Sequence, residues 1–298
     1  MKYTGVTYRP PFEAASLLLQ VTRGCSYNKC TFCTMYRDEQ FGTETLEQIE
    51  SDLREASQYY PDTDRVFLEN GDAFCLSAER LVSIAELVHK YLPKTETIAM
   101  YASINNIRGK SDEGLKELRR LGINDLNIGV ESGLDSALQY MNKGYDAKEA
   151  EYQLLRLKDA GMDYGANIIF GCAGKEMSEE HARLTAELMN RTKPYIIFTG
   201  TIHAVPGCPL YDDLQSGAFK ELTNGEYLDE METFISALDI KDCFYFGVHP
   251  SNVIRLQGYL NEDKEKILAE LKNRRERMKE KLDDVPVHHG AEGMILKL

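Results

Sequence analysis

Apolar positions along the chain follow two alternating rhythms. In TLEQIESDLREASQYY (45–60) Leu46, Ile49, Leu53 and Ala56 recur at spacings of three and four, which puts them on one helix face. Thr45, with Gln48 three residues on, supplies a cap for the first turn. The same spacing predicts helices over SAERLVSIAELVHKYL (77–92), DEGLKELRRLG (112–122, stopped by Gly122), AKEAEYQLLRLKDAG (147–161) and SEEHARLTAELMNRT (178–192). Between these helices lie short apolar runs of strand length: LLLQVTRG (17–24), RVFLENGD (65–72), TIAMYAS (97–103), DLNIGVES (125–132), DYGANIIFG (163–171) and YIIFTGTIHA (195–204).

Strand and helix alternate through six units, each roughly 30 to 40 residues long, the size of a βαβ crossover. Apolar strands bounded by amphipathic helices predict an α/β fold with a parallel sheet covered by helices. Six units in tandem suit an incomplete (β/α)6 TIM-like barrel better than a doubly wound sheet. After Ala204 the rhythm breaks. Residues 205–226 are rich in turn formers and predict a loop or short helix, 227–238 a helix, 243–250 an added strand, and 262–282 a charged amphipathic helix. The expected organisation is one partial barrel, residues 1–245, followed by a C-terminal extension, residues 246–298.

Composition narrows the setting. The 298 residues are 43% hydrophobic and 28% charged, ordinary for a globular protein. No apolar run approaches the roughly 20 residues of a membrane span, and the N-terminus lacks the pattern of a signal peptide, so the cytoplasm is the expected compartment. With 35 Lys and Arg against 48 Asp and Glu, the net charge of −13 repels a polyanion and argues against nucleic acid as a partner. The basic residues of the last helix, from Lys272 to Lys281, alternate with Glu270, Glu276 and Glu280 and read as a solvated face. Seven cysteines in a chain of this length are not a disulfide framework.

Three of the seven, Cys25, Cys30 and Cys33, fall within nine residues as C-x4-C-x2-C, directly after the first strand. Clustered thiolates select zinc or an iron–sulfur cluster. Structural zinc wants four ligands in paired groups, and Cys75, Cys172, Cys208 and Cys243 are scattered singly. Three thiolates instead suit a [4Fe–4S] cluster with one iron left open for a small molecule. Ordinary unliganded cysteines are the bland alternative, and their clustering argues against it.

The segment RGCSYNKCTFCTMY (23–36), followed by a strand, an acidic turn and a β/α series, resembles the radical S-adenosylmethionine (radical SAM) superfamily, and within it the branch of oxygen-independent coproporphyrinogen oxidase and the methylthiotransferases. The likeness covers about residues 15 to 250. The family's usual spacing is C-x3-C-x2-C, so the first gap here is one residue longer. The resemblance implies that S-adenosylmethionine binds the open iron and is cleaved to a 5′-deoxyadenosyl radical that takes hydrogen from a small-molecule substrate. It also implies an electron donor of the flavodoxin or ferredoxin kind. A haem-biosynthetic oxidase-like activity, a non-catalytic electron-transfer or sensing role and a zinc scaffold are the competing readings.

By the same resemblance Asp72, in Asn70-Gly71-Asp72, stands where a carboxylate accepts from the methionine ammonium. Glu131 matches a residue on the ribose hydroxyls, and Lys143 a base near the methionine carboxylate. Asn167 matches a second ribose contact, Phe32 an aromatic beside the adenine, and Ser103 a further cofactor contact at the end of the third strand. An amide such as Asn167 inside an apolar strand needs partners if buried, which supports its assignment independently. On the substrate side His203, His249, Cys172 and Cys208 follow strands, and Tyr36 and Tyr101 are candidate lining residues. Either cysteine is a candidate hydrogen-atom donor, although buried spectator cysteines are common. The pair His288-His289 reads as a tail feature. There is no second cysteine-rich region and no cobalamin-binding Asp-x-His-x-x-Gly, which favours a minimal enzyme.

Overall fold

A computed structural model of the chain describes residues 1–286; the reading of His288-His289 lies outside them. In chain order the elements are β1 (Leu17–Gln20), β2 (Thr22–Arg23), β3 (Gly42–Thr43), α1 (Leu46–Tyr59), β4 (Arg65–Glu69), α2 (Ala78–Tyr91), β5 (Thr97–Ala102), α3 (Ile104–Arg108), α4 (Asp112–Arg120) and β6 (Ile123–Glu131). They continue with α5 (Asp135–Tyr140), α6 (Ala147–Asp159), β7 (Tyr164–Phe170), α7 (Ser178–Thr192), β8 (Ile196–Thr201), α8 (Pro209–Ser216), α9 (Asn224–Ala237), β9 (Phe244–Gly247), β10 (Leu256–Tyr259) and α10 (Leu260–Arg277).

The six expected strands are present and enter one eight-stranded sheet in the order β1-β4-β5-β6-β7-β8-β9-β10. Pairing is parallel from β1 through β4 and β5 to β6, and again from β7 through β8 to β9, while β10 is antiparallel to its neighbour β9. The α/β class with a mostly parallel sheet is therefore the observed one. The first strand is shorter than its apolar run. At Val21 the backbone N–H turns to the Glu69 carbonyl (2.7 Å) and the carbonyl accepts from Glu44 (2.9 Å). Thr22–Arg23 then leaves to pair with β3.

The chain divides into two compact units. The first comprises residues 1–28, 35–129 and 152–164, and the second residues 29–34, 130–151 and 165–298. In the first, Leu19, Val66, Phe67, Leu68, Ile98 and Met100 of the strands are fully shielded, as are Ile49, Leu53, Leu81, Ile84 and Val88 of α1 and α2. The threonine cap of α1 is made, with Thr45 Oγ1 accepting from the Gln48 N–H at 3.2 Å. In the second unit Phe170 of β7 meets Phe234 of α9 edge-on, with centroids 5.6 Å apart. Ile197, Tyr245, Leu188, Met189 and Ile235 complete that core.

Candidate functional site

In the first unit Cys25 lies in the turn after β2, and its sulfur accepts from the Asn28 N–H at 3.5 Å. Asn28 has φ +45°, and its side chain donates to the Tyr36 carbonyl at 2.8 Å, which fixes the turn. Ser26, beside Cys25, donates its hydroxyl to Asp72. Asp72 is only 3% exposed. The glycine before it is required, because a Cβ on Gly71 would lie 2.1 Å from the Tyr36 ring. Tyr36 in turn donates to Asn70 Oδ1 at 3.3 Å. The Asn-Gly-Asp turn is thus built around a buried tyrosine.

Two neighbours of that turn escaped the sequence reading. Cys75 is pushed up to about 12 by burial and by the Asp72 charge. Lys110 donates to the Phe74 carbonyl at 2.6 Å and lies 4.1 Å from the centre of the Phe74 ring. Burial brings its ammonium down to about 8. Glu69, the last residue of β4, is fully buried, and burial raises its carboxyl to about 7. Ser103 closes β5, but its side chain is engaged at home: its Oγ accepts from the Asn106 N–H at 3.3 Å, and Asn106 Oδ1 accepts from the Ser103 N–H at 2.8 Å. That is a capping box for α3. Tyr101 packs edge-on against Phe67, centroids 5.4 Å apart.

In the second unit the segment carrying Cys30, Phe32 and Cys33 is tied at several points. The Thr31 N–H donates to the Met141 carbonyl (3.2 Å), and the Thr31 carbonyl accepts from Leu210 (3.1 Å). Asn142 donates to the Lys29 carbonyl at 2.9 Å. Beside this segment Lys143 Nζ meets Glu131 Oε1 at 3.0 Å, and both residues are buried. Burial alone would lower the lysine, but the Glu131 charge overrides it and holds Lys143 well above its ordinary value. The ammonium is 5.9 Å from the Phe32 ring centre and 6.0 Å from that of Tyr145. Burial raises the Cys30 thiol, and the Lys143 charge works against that rise. Lys143 is thus half of an internal ion pair and not a solvated side chain.

Glu131 itself has φ +65°, left-handed backbone that an ordinary side chain adopts only at a cost. Gly133, two residues on, donates its N–H to Thr185 Oγ1 at 2.8 Å, and a Cβ there would lie 2.5 Å from the Leu184 carbonyl oxygen. The GVESG segment is therefore shaped by a strained Glu and by a close approach to α7. Asn167 is half-buried on β7, opposite Phe198 of β8.

Of the remaining candidates, Cys172 belongs to a buried chain that no spacing announced. Its Sγ is 3.3 Å from His181 Nε2, His181 Nδ1 is 2.5 Å from Glu230 Oε1, and Glu230 Oε2 accepts from the Gly171 N–H at 2.9 Å. Cys208 is buried at the N-cap of α8, while His203 and His249 follow β8 and β9 half-buried.

All three cysteines of the motif are outside disulfides and partly accessible. Among the described residues no three of His, Cys, Asp and Glu converge as ligands of a single ion would. A cubane cluster makes a different demand, since each thiolate takes its own iron. The donor set fits such a cluster in its chemistry: three thiols in one short segment, Cys30 beside the buried Lys143 cation, and Cys25 next to a serine bonded to a buried carboxylate.

Comparison with known sequences decides the family, for the Radical SAM superfamily profile matches residues 19–189. The chain belongs to the radical SAM superfamily. It is similar to the heme chaperone HemW of Bacillus subtilis (strain 168), 22% identical over 194 residues, which is 65% of this chain and 50% of that protein. Among solved structures it resembles coproporphyrinogen III oxidase (HemN) from Escherichia coli, described there as a radical SAM enzyme, with TM-score 0.53 and 14% identity over 74% of this chain and 51% of that one. It also resembles the methyltransferase TsrM from Kitasatospora setae, a structure with cobalamin and a [4Fe-4S] cluster bound, with TM-score 0.51 and 13% identity over 65% of this chain and 38% of that one. At these identities the likeness to solved structures shows the fold. The chain spans about half the length of HemW and HemN.

Proposed function

We propose that this chain is a radical SAM enzyme whose Cys25, Cys30 and Cys33 hold a [4Fe–4S] cluster and which takes a hydrogen atom from a small-molecule substrate. The observation that carries the reading is the buried Lys143–Glu131 pair beside Cys30 and Phe32. A buried ion pair without a ligand to serve is costly, because desolvation of both charges offsets much of their attraction. Its position next to Cys30 of the cysteine cluster gives that expense a purpose. When bound, the cluster supplies the electron that splits S-adenosylmethionine into methionine and the 5′-deoxyadenosyl radical.

The chain's own residues bind and orient. Lys143 is held charged, so it offers an ammonium to a carboxylate, and Glu131 offers its second oxygen to ribose hydroxyls. Asp72, an acceptor fixed by Ser26, suits the methionine ammonium. Phe32 supplies a face for the adenine and Asn167 a further polar contact to the ribose. Ser103 caps α3 through its Oγ as acceptor and offers its hydroxyl hydrogen as a further cofactor contact. The substrate is a small molecule, the electron comes from a flavodoxin- or ferredoxin-like donor, and the cytoplasm is the compartment in which the thiols stay reduced. Residues 1–245 carry the cluster and the cofactor contacts, and residues 246–298 extend that domain.

The test is anaerobic. The chain is reconstituted with iron and sulfide, S-adenosylmethionine and dithionite are added, and 5′-deoxyadenosine is measured. Product is expected from the native chain, with both cluster absorbance and product lost in Cys33→Ala. A cluster-loaded chain that neither retains nor cleaves S-adenosylmethionine would overturn the reading and favour electron transfer or sensing. The likeness to HemN supports a second reading, a haem-biosynthetic oxidase-like activity, for which oxidation of coproporphyrinogen III by the loaded chain is the measurement.

A further inference from the structure

Within the second unit β7, β8 and β9 run parallel in a register that sets Asn167 opposite Phe198 and Phe198 opposite Phe246. Side chains at paired positions share a face of the sheet, and these three are half-buried while their strand neighbours Ala166, Ile168, Ile197, Thr199 and Tyr245 are shielded. Phe198 and Phe246 lie nearly parallel, centroids 5.3 Å apart at 17°. The ring of His249 stands edge-on to Phe198, 5.6 Å away at 69°.

His249 is held in one tautomer. The Thr201 N–H donates to Ser251 Oγ at 3.0 Å, so that oxygen acts as acceptor and its own hydrogen is available for His249 Nδ1 at 2.6 Å. The Ser251 N–H donates to the same Nδ1 at 3.2 Å. A backbone N–H cannot accept, so Nδ1 carries no proton and the neutral ring keeps its proton on Nε2. Asn252 fixes this loop by donating to the Thr199 and Gly247 carbonyls, both at 2.9 Å. The loop packs close over β8: a Cβ on Gly200 would lie 3.3 Å from Ser251 Oγ and 3.6 Å from His249 Nδ1. Burial, then the charge of Arg255 and the neighbouring His203, keep the imidazole below its ordinary value and hence neutral.

We propose that Phe198, Phe246 and His249 form the substrate-binding face, and that its occupant is a flat conjugated carboxylate, with the π system on the two rings and an oxygen accepting from His249 Nε2–H. Two parallel rings favour a ligand with a π face over a saturated one of equal size. A fixed N–H donor favours an anionic oxygen over a neutral one, because a charge-assisted hydrogen bond is the stronger. The face adjoins Asn167, so the proposal rests on the reading that Asn167 contacts bound S-adenosylmethionine, and it names the class of substrate placed beside it.

The test uses the full chain and three matched probes: naphthalene-2-carboxylate, decahydronaphthalene-2-carboxylate without the π system, and naphthalene-2-methanol without the charge. Saturation-transfer NMR titrations should show the first binding at least tenfold tighter than either other. His249→Phe keeps a ring and removes the donor, and should abolish the tenfold preference for the acid over the alcohol; His249→Gln should keep most of it. Retention of S-adenosylmethionine is measured on the same samples and should be unchanged. Nitrogen shifts of 15N-histidine in the native chain should report a protonated Nε2 and a bare Nδ1, a result that needs no variant to fold. Equal binding of the probes, binding of none, an unaltered preference in His249→Phe, or a protonated Nδ1 would each overturn the proposal. Selective binding of the naphthoate by a chain that retains no S-adenosylmethionine would sink the cofactor reading and leave this face standing.

Discussion

Side chains that matter most in this protein are charged groups placed where water is excluded. Lys143 and Glu131 are the clearest pair. Replacing Lys143 by Met leaves the Glu131 carboxylate buried with its cation gone, a change that typically costs about 3–5 kcal/mol. Urea unfolding at pH 7 should register that loss, and Lys143→Met combined with Glu131→Gln should recover a good part of it. Glu69 behaves in the opposite sense. Its folded carboxyl is raised from 4.5 to about 7, so the folded chain binds the proton more tightly than the unfolded one. Ionisation therefore destabilises the fold: stability falls as pH rises from about 4.5 to about 7 and stays reduced above. Glu69→Gln should remove that slope and gain about 2–3 kcal/mol at pH 8 over the native chain. Identical pH–stability curves for the two proteins would refute the assignment. Little of this was legible in sequence. The cysteines stand out by spacing alone, but Lys143 and Glu131 are twelve residues apart with no periodicity to connect them, and Glu69 reads as the polar end of a strand. The Cys172–His181–Glu230 chain draws on three separate segments, and only folding makes it a unit.

Elements were far more legible than their contacts. Long amphipathic helices such as α1, α2, α6 and α7 and the buried parallel strands announce themselves because one face or the whole run must be apolar. The elements that escaped are short. α3 has five residues and α5 six, too few for a helical period, and β10 is a four-residue edge strand containing Gly258. Loop-to-helix fit was equally silent: nothing in GVESG says that Gly133 touches α7. Because the obstructing atoms are backbone of Leu184 and Thr185, at 2.5 and 2.8 Å from a built Cβ, they cannot swing aside as a side chain would. Gly133→Ala should therefore cost about 3 kcal/mol in thermal or urea unfolding, at the upper end of overpacking penalties. A loss below about 0.5 kcal/mol would mean that the turn after β6 moves freely.

At the scale of the whole molecule the dominant quantity is charge. A net charge of −13 sets up a field that opposes other polyanions at low ionic strength. Gel-shift titration with duplex DNA in about 0.1 M salt should show no complex up to micromolar protein, and a salt-sensitive complex there would reveal a local basic surface that the average conceals. No helix among the described residues is long and apolar enough to cross a membrane. The α/β class and the family were readable from the chain because both are properties of repeated pattern and motif. The face around His249 was not, because it is made by register between strands and by a tautomer that three hydrogen bonds select.

The left-handed backbone at Glu131 sets two kinds of selection against each other. A side chain at φ +65° forgoes about 1–2 kcal/mol that glycine would keep. In a library of variants sorted for cellular abundance, glycine at 131 together with methionine at 143 should rise in frequency, since the pair relieves the backbone and discards two buried charges at once. Sorted instead for the chain's chemistry, the same double variant should vanish. Where the two enrichment maps diverge most sharply, the residues are being kept for what they do and not for what they hold up.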